Sequence, residues 1–199
     1  MDFPLLINAN ATTFRIEQVP WDDLAGQRLR DQQVAEISAR FGTGPENAPG
    51  IPPSADTISL FLLAYPQTSD EPVACGAVRY LQDGFIEIKR MYAIPQSRGT
   101  GAALCILLAL EQYARSVGVQ GLKLETSTLQ PDAIRWVSRL LDKRSRAHEN
   151  VHQPLSHSTD GKSRFYQKHG YEEIPQFGYY VGVPWSRCFQ KRVSDGSRV

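Results

Sequence analysis

A glycine-bearing turn between an apolar strand and a long apolar segment is the part of this sequence best suited to chemistry. It spans Gln96 to Gly101 and reads QSRGTG. Gly99 and Gly101 let the backbone turn tightly and let a ligand approach it, and the first amides of a following helix have no partner inside that helix. Such a turn binds phosphate, because the partial positive charge at the helix start adds to those donors and Arg98 supplies a full charge.

The turn differs from two common phosphate-binding loops. No Gly-Lys-Ser or Gly-Lys-Thr follows it, as a Walker A loop requires, and it is not a full GxGxxG with an acidic residue after the next strand. An ordinary turn between a strand and a helix is therefore the alternative explanation of these six residues taken alone.

The elements that must position this turn are an antiparallel pair of strands and, after it in the sequence, one βαβ unit. Apolar, β-rich runs separated by turn residues predict three strands, at Thr57 to Tyr65, Val73 to Leu81 and Phe85 to Ile94. Gly99 to Val117 is largely apolar and predicts a long helix buried against the sheet. The run Leu122 to Thr126 predicts the next strand, reached by a right-handed crossover.

Further elements are predicted on both sides of this unit. Before it, Thr13 to Val19 predicts a first strand, and Asp22 or Asp23 caps a helix that stops by Gly42. After it, the sequence predicts a helix from Pro131, a short helix at Ser163 to His169, and strands at Tyr171 to Ile174 and Cys188 to Val193. We therefore expect a single domain over residues 1–199, with an inserted helix extension and loop at about 135–163.

The turn and its neighbours resemble the GNAT superfamily. Gln96 to Gly101 is similar to that family's Q/R-x-x-G-x-G/A signature, and the strand Glu87 to Ala93 before it looks like the family's acyl-CoA strand. The segment FYQKHGY, Phe165 to Tyr171, resembles the family's FYxxxGF/Y segment, and the resemblance covers roughly Thr57 to Val193. It implies an acetyl-CoA-dependent N-acetyltransferase of the α/β class. Its central mixed, mostly antiparallel sheet would splay at the acyl-CoA strand and be flanked by helices.

The resemblance also implies how acetyl-CoA is held as a co-substrate. In the family, the pyrophosphate lies on the amides of the glycine turn, and the pantetheine arm adds like a β-strand along an unpaired strand edge. The residues so implied are Gln96, Arg98, Gly99, Thr100, Gly101, Ala102 and Ala103 for the pyrophosphate, and Met91, Tyr92 and Ala93 for the pantetheine. Many members carry an asparagine after the next strand, and Gln130 stands near that position here.

Two residues are implied to be catalytic in the attack of a neutral amine on the thioester. Tyr166 matches the tyrosine that protonates the departing thiolate, and the ordinary pKa of a tyrosine, about 10, keeps it protonated at neutral pH. The alternative for Tyr166 is a core aromatic. Glu87 matches a glutamate that acts as general base, directly or through water; the alternative is a surface salt bridge with Lys89. The amide of Met91 or Tyr92 would stabilise the oxyanion.

The insertion and the aromatic segment after it have two explanations each. His148 and His152 have the i,i+4 spacing of metal ligands, with His157 further on, but no third acidic or cysteine ligand is fixed beside them. We therefore predict a solvated loop and no metal. The segment Pro175 to Tyr180, with Pro184 to Ser186, either shapes an acceptor pocket or forms a packed hairpin loop.

Composition excludes several function classes. The net charge of +1 gives no electrostatic case for nucleic acid or an anionic membrane, and no stretch of about 20 apolar residues occurs. The cysteines, Cys75, Cys105 and Cys188, are odd in number and widely spaced, which fits a reducing compartment. We therefore expect a cytoplasmic enzyme that acts on a small molecule.

The acceptor is not identified by the sequence. A free amine or amino acid fits the near-neutral charge and the aromatic segment. A protein lysine or N-terminal acetyltransferase is the alternative, and it would be expected to have an open acidic groove near Glu87 and Glu125. A CoA-binding module without catalysis would not need both Glu87 and Tyr166. The resemblance implies direct attack in a ternary complex, and a homodimer is left open.

Overall fold

A computed structural model describes residues 1–42, 49–127 and 161–193 of the chain. Its strands form one sheet of eight, in the order β1-β2-β3-β4-β5-β6-β8-β7. The strands are β1 (Leu5–Ala9), β2 (Thr12–Gln18), β3 (Leu60–Pro66), β4 (Ala74–Tyr80), β5 (Ile86–Ala93), β6 (Gly121–Ser127), β7 (Glu172–Ile174) and β8 (Ser186–Arg192). All neighbours pair antiparallel except β5 and β6, which are parallel, so the predicted mixed, mostly antiparallel sheet is confirmed.

Three α-helices flank the sheet within the described residues: α1 (Leu24–Phe41), α2 (Ala102–Ser116) and α3 (Gly161–Lys168). Asp23 caps α1, since its Oδ1 accepts from the Gly26 amide at 2.8 Å, and Gly42 ends that helix with a φ of 66°. Both ends agree with the sequence-based expectation. No helix in this part of the chain is long and apolar enough to cross a membrane.

The two faces of the sheet pack against different helices. Leu60, Leu62 and Ala64 of β3 join the core cluster of α2, whereas Phe61 and Leu63, which alternate with them, join the cluster of α1. A strand buried on both faces explains why the β3 sequence is continuously apolar. The face toward α2 and the face toward α1 are called the α2 face and the α1 face below.

One feature of the fold differs from the sequence-based prediction, and several predicted features lie outside the described residues. Strand β1 was not predicted, because its turn into β2 places Asn10 and Ala11 at φ values of 49° and 60° without the glycine that usually marks such a hairpin. The helix predicted from Pro131, the three histidines considered as ligands and most of the expected insertion lie outside the described residues.

Candidate active site

Strands β5 and β6 separate after a short parallel contact. They pair only at Ile86 with Leu122 and at Glu87 with Lys123, although β5 continues to Ala93 and β6 to Ser127. The expected splay of the sheet is thereby confirmed. Within the part of the chain that the structure describes, one edge of β5, from Ile88 onward, has no neighbouring strand to bind its backbone groups.

A β-bulge in β5 bends this open edge. Ala77 pairs with Lys89 and Cys75 with Tyr92, so β5 carries one more residue than β4 across this interval. Arg90 lies inside it with a φ of 56°, as bulge residues often do. The bulge lies just beyond the last pair of β5 with β6, where the two strands separate.

The backbone of the open edge is partly engaged already. The Ile94 amide donates toward β4, so by alternation the Ala93 amide points away from β4 into the opening. The Met91 carbonyl, however, accepts from Gln33 Nε2 at 2.9 Å, and the Ala93 carbonyl accepts from Arg98 Nε at 3.2 Å. An extended ligand at this edge therefore meets the free Ala93 amide first, and binds the carbonyls of Met91 and Ala93 only when Gln33 and Arg98 move.

The glycine turn presents backbone donors at the start of α2. The first bond that closes the helix runs from the Cys105 amide to the Gly101 carbonyl at 2.9 Å, so the preceding amides have no helical acceptor. The amides of Gly99, Gly101, Ala102 and Ala103 donate to no other backbone group among the described residues. A phosphate fits donors of this kind.

The two glycines of the turn are needed for different reasons. Both have positive φ, 82° at Gly99 and 101° at Gly101. A Cβ at Gly101 would lie 2.6 Å from the Ala9 Cβ, so this glycine is required by the close approach of β1. A Cβ at Gly99 would meet nothing within 4 Å, although the Gly99 carbonyl accepts from Asn10 Nδ2 at 2.9 Å. Gly99 is therefore the position that faces open space.

The other residues expected around the pyrophosphate differ in their exposure and in their hydrogen-bond partners. Gln96 is exposed in a short 3₁₀ helix, Pro95–Ser97, and Thr100 Oγ1 donates to the Ser97 carbonyl at 2.7 Å. Arg98 forms an ion pair with Glu36 of α1, so its charge is already balanced by a carboxylate. Gln130 lies outside the described residues.

Tyr166 lies on α3, in the core on the α2 face. Its ring packs edge-on against Phe165 and Tyr171, with centroids 5.2 Å and 5.6 Å away. The helix is held to β6 by the hydroxyls of Ser163 and Thr126, 3.4 Å apart. Burial raises the pKa of Tyr166, so the hydroxyl stays protonated, and no described residue forms a hydrogen bond with it. The structure thus fits both a proton donor and a core aromatic.

Glu87 lies on the opposite, α1 face, because it alternates with Ile86 and Ile88. Its side chain is 0% exposed. Arg79 Nε donates to Oε2 at 2.6 Å, while Oε1 accepts from Lys89 Nζ at 3.3 Å and from the Tyr180 hydroxyl at 2.5 Å. The pair with Lys89 is present, but it is buried rather than at the surface as the alternative assumed.

This burial restricts the base role expected for Glu87. With both oxygens occupied and no exposed surface, the carboxylate cannot accept a proton directly from an acceptor amine. The Tyr180 hydroxyl, which itself accepts from Lys89 Nζ at 2.6 Å, is the shortest relay to it. A general base that acts directly does not fit this arrangement, and a relayed one stays a prediction.

Sequence reasoning missed two members of this buried network, Arg79 and Tyr180. Arg79 pairs in register with Glu87 from β4, and a basic residue opposite a glutamate on a predicted hairpin could have indicated the contact. Tyr180 comes from a 3₁₀ helix, Gly178–Tyr180, far along the chain, and no local pattern signals its partner. Through Tyr180, the aromatic segment Pro175 to Tyr180 thus packs over Glu87 on the α1 face.

Glu125 is the second carboxylate at the opening of the sheet. It lies on β6, two residues beyond the last pair with β5, and its Oε1 accepts from Ser186 Oγ at 2.8 Å. Burial raises the pKa of Glu125, and burial lowers the pKa of Lys89 across the opening. Glu125 is only partly buried, so an arriving cation can reach it.

The cysteines do not offer a nucleophile. All three are buried and unpaired. Burial raises the pKa of Cys75 to about 12 and that of Cys105 to about 11, and it also raises that of Cys188. A thiol in this state is protonated at neutral pH and unreactive toward a thioester.

Comparison with known proteins gives one family and a consistent fold. The model of the acetyltransferase (GNAT) family matches residues 31–141, more than half of the chain. A protein named IAA acetyltransferase from Azospirillum brasilense is 36% identical over 75 residues, which are 37% of this chain and 48% of that protein. The aligned part thus spans about half the length of that relative.

Two solved structures resemble the fold at low sequence identity. A Klebsiella pneumoniae protein described as an acyl-CoA N-acyltransferase superposes with a TM-score of 0.60 at 24% identity, covering 90% of this chain and 97% of its own. The ribosomal-protein-S18-alanine N-acetyltransferase from Escherichia coli superposes with a TM-score of 0.52 at 13% identity, covering 94% and 98%. At these identities the likeness concerns the fold alone.

Proposed function

Since the chain belongs to the acetyltransferase (GNAT) family and is an acyltransferase, we propose that it transfers an acetyl group from acetyl-CoA to the amine of a small molecule or amino acid. The observation that carries this proposal is the junction of two features on one strand. The edge of β5 lies open beside β6, and the same strand leads into a helix start with unpaired amides. An extended amide-bearing chain that ends in a pyrophosphate fits this junction.

In this proposal the pyrophosphate lies on the amides of Gly99, Gly101, Ala102 and Ala103, and the pantetheine arm runs along Met91 to Ala93. The ion pair of Arg98 with Glu36 limits the charge that Arg98 adds. Arg98 releases the Ala93 carbonyl as the arm binds, while Gln33 stays bonded to the Met91 carbonyl. The thioester then lies in the opening between β5 and β6.

The reaction proceeds by direct attack in a ternary complex. The amine nitrogen forms a bond to the thioester carbon, the carbonyl oxygen becomes an oxyanion held by the Met91 amide, and the C–S bond then breaks. The Tyr92 amide, like that of Ile94, points toward β4 by alternation. Tyr166 donates its proton to the departing thiolate, and the proton that the amine loses passes to the carboxylates of the α1 face. The protonated state of the three cysteines supports direct attack over an acetyl-cysteine intermediate.

In this proposal two carboxylates have different roles toward the amine: one binds the ammonium and the other accepts its proton. Glu125, partly exposed at the opening, is the partner for the arriving ammonium. Glu87 acts as base through the Tyr180 hydroxyl, which donates to it at 2.5 Å. Arg79 holds the Glu87 carboxylate in place, and Lys89 holds the Tyr180 hydroxyl.

Gly99 offers a test of the pyrophosphate position with a matched pair of variants. Both Asn and Asp tolerate positive φ, and the added side chain enters open space, so both variants should fold. Gly99→Asp should weaken acetyl-CoA binding at least about tenfold relative to Gly99→Asn, because only the Asp variant places a negative charge beside the pyrophosphate.

Isothermal titration at low and high salt measures both affinities, and the difference should shrink as salt screens the charge. Equal affinities in the two variants at low salt would place the pyrophosphate elsewhere. Gly101→Val is less informative, since its clash with Ala9 would disturb the fold as well as the ligand.

The charges near Glu87 favour a small acceptor over a protein substrate. A protein-directed enzyme was expected to have an open acidic groove near Glu87 and Glu125. Glu87 is instead fully buried and paired with Arg79 and Lys89, and Tyr180 covers it. The three free thiols fit the reducing cytoplasm that is part of the proposal.

A panel assay separates these acceptor classes. Release of CoA thiol from acetyl-CoA is followed with simple amines, free amino acids, lysine-containing peptides and peptides with a free N-terminus. We expect kcat/KM for the best small amine or amino acid to exceed that for every peptide. A peptide as the best acceptor would replace the proposed function with the protein-directed alternative.

A further inference from the structure

Three buried polar atoms on the α1 face have no hydrogen-bond partner among the described residues. They are Arg30 Nη1 and Gln33 Oε1 of α1, and Arg90 Nε of the β5 bulge. Buried polar atoms in folded proteins are almost always satisfied, since each unsatisfied one costs free energy. Arg30 Nη1 and Arg90 Nε are donors, whereas Gln33 Oε1 is an acceptor. A group that binds at these residues, called the Arg30/Gln33/Arg90 cluster below, must therefore accept from the arginines and donate to Gln33.

The cluster lies beside the strand that carries the reaction in the proposed function. Gln33 is fixed to β5 by the 2.9 Å bond from its Nε2 to the Met91 carbonyl. Arg90 directly precedes Met91, and its carbonyl accepts from the Cys75 thiol at 3.3 Å. Arg30, one helical turn before Gln33, stacks its guanidinium over Trp21 and Phe61, with 3.9 Å and 5.0 Å to the ring centroids. Stacking orients this guanidinium but satisfies none of its donors.

Two positive charges lie close together in this cluster. Neither Arg30 nor Arg90 forms an ion pair in the described part of the chain. Burial lowers the pKa of Arg90. The charge of Arg30 lowers it further, because the two cations repel each other. The carboxylates that act on these arginines do so without ion-pair contact: Asp31 on both, and Asp22 and Asp23 on Arg30. An oxyanion placed here would relieve both the repulsion and the unpaired donors.

We propose that the Arg30/Gln33/Arg90 cluster binds a carboxylate of the acceptor, so that the acceptor is an amino acid or another amine that carries a carboxylate. The inference rests on the proposed function, because the cluster lies next to Met91 on the face where the amine arrives. Guanidinium groups bind carboxylates through two parallel hydrogen bonds, which fixes orientation as well as charge. The carboxylate would accept from Arg30 and Arg90, and the amine of the same ligand would donate to Gln33 Oε1.

The test compares common L-amino acids with their primary amides, which keep the amine and lose the carboxylate charge. In the wild type, kcat/KM for the best amino acid should exceed that for its amide at least about tenfold. Arg30→Gln and Arg90→Gln should raise KM for the amino acid and remove most of this preference, while kcat/KM for the amide changes little. Arg28→Gln is the matched control, since Arg28 lies on the same helix but pairs with Glu71 at the surface.

A second readout separates this proposal from the proposed function. Without acetyl-CoA, the amino acid should raise the Tm of the wild type and of Arg28→Gln, and should not raise the Tm of Arg90→Gln. No thiol release with any acceptor, together with this pattern of Tm shifts, would refute the acetyltransferase proposal and retain the carboxylate site. Equal use of acids and amides by the wild type, or a preference that survives in both arginine variants, would overturn the site.

Discussion

Replacing Tyr166 with phenylalanine is expected to lower kcat by at least about a hundredfold, the usual contribution of a general acid. The substitution keeps the ring that packs against Phe165 and Tyr171 and removes only the hydroxyl. Burial holds that hydroxyl in its protonated form, so the wild type has a proton to donate to the thiolate and the variant has none. Affinity for acetyl-CoA should stay within about threefold, because the substitution leaves the glycine turn and the β5 edge unchanged.

Tyr171→Phe is the matched control for this experiment. Tyr171 is buried in the same aromatic cluster and its ring meets that of Tyr166 edge-on, but it has no role in the proposed reaction. We expect this variant to change Tm with nearly normal kcat. If Tyr166→Phe behaves the same way, with kcat within about threefold of the wild type, Tyr166 is a core aromatic and another group supplies the proton.

Glu87→Gln is expected to lower the free energy of unfolding by about 3 kcal/mol, the low end for breaking a buried ion pair. The variant leaves Arg79 and Lys89 beside a neutral amide, with only 11% and 18% of their side chains exposed to water. Urea denaturation measures the change. Glu71→Gln is the control: it breaks the exposed pair with Arg28, for which the cost should be below about 1 kcal/mol.

The same variant also decides whether Glu87 takes part in proton removal. If Glu87 accepts the amine proton through Tyr180, turnover of Glu87→Gln should be lowest at low pH and should recover as pH approaches the pKa of the acceptor amine. A loss that is equal at all pH values would assign Glu87 to positioning of Lys89 and Tyr180 only. Tyr180→Phe should reproduce the pH-dependent loss, since it removes the relay and leaves Glu87 in place.

The backbone elements around the glycine turn were predictable because their signals are local. An apolar strand, two glycines and an apolar helix follow one another without interruption, and each pattern requires only its own residues. The splay of β5 from β6 was predictable only through the family resemblance, since nothing in the sequence of either strand states where their pairing stops.

The surroundings of the site residues could not be predicted in the same way. Whether Glu87 is exposed or buried depends on Tyr180, which lies far along the chain, and on Arg79 from the neighbouring strand. The requirement for glycine at position 101 comes from Ala9 on a strand whose hairpin turn has no glycine. Such contacts join segments that are distant in sequence, and no periodicity in a single chain encodes them.

The central claim is that the acetyl group passes directly from acetyl-CoA to the nitrogen of an acceptor. The most direct test uses acetyl-CoA labelled in its acetyl group and follows the label in the acceptor and in the protein. We predict that the label reaches the acceptor nitrogen, with an equal amount of free CoA formed, only when both substrates are present, and that the protein remains unlabelled. Labelled protein formed without an acceptor, or acceptor that stays unlabelled while acetyl-CoA is consumed, would contradict the account.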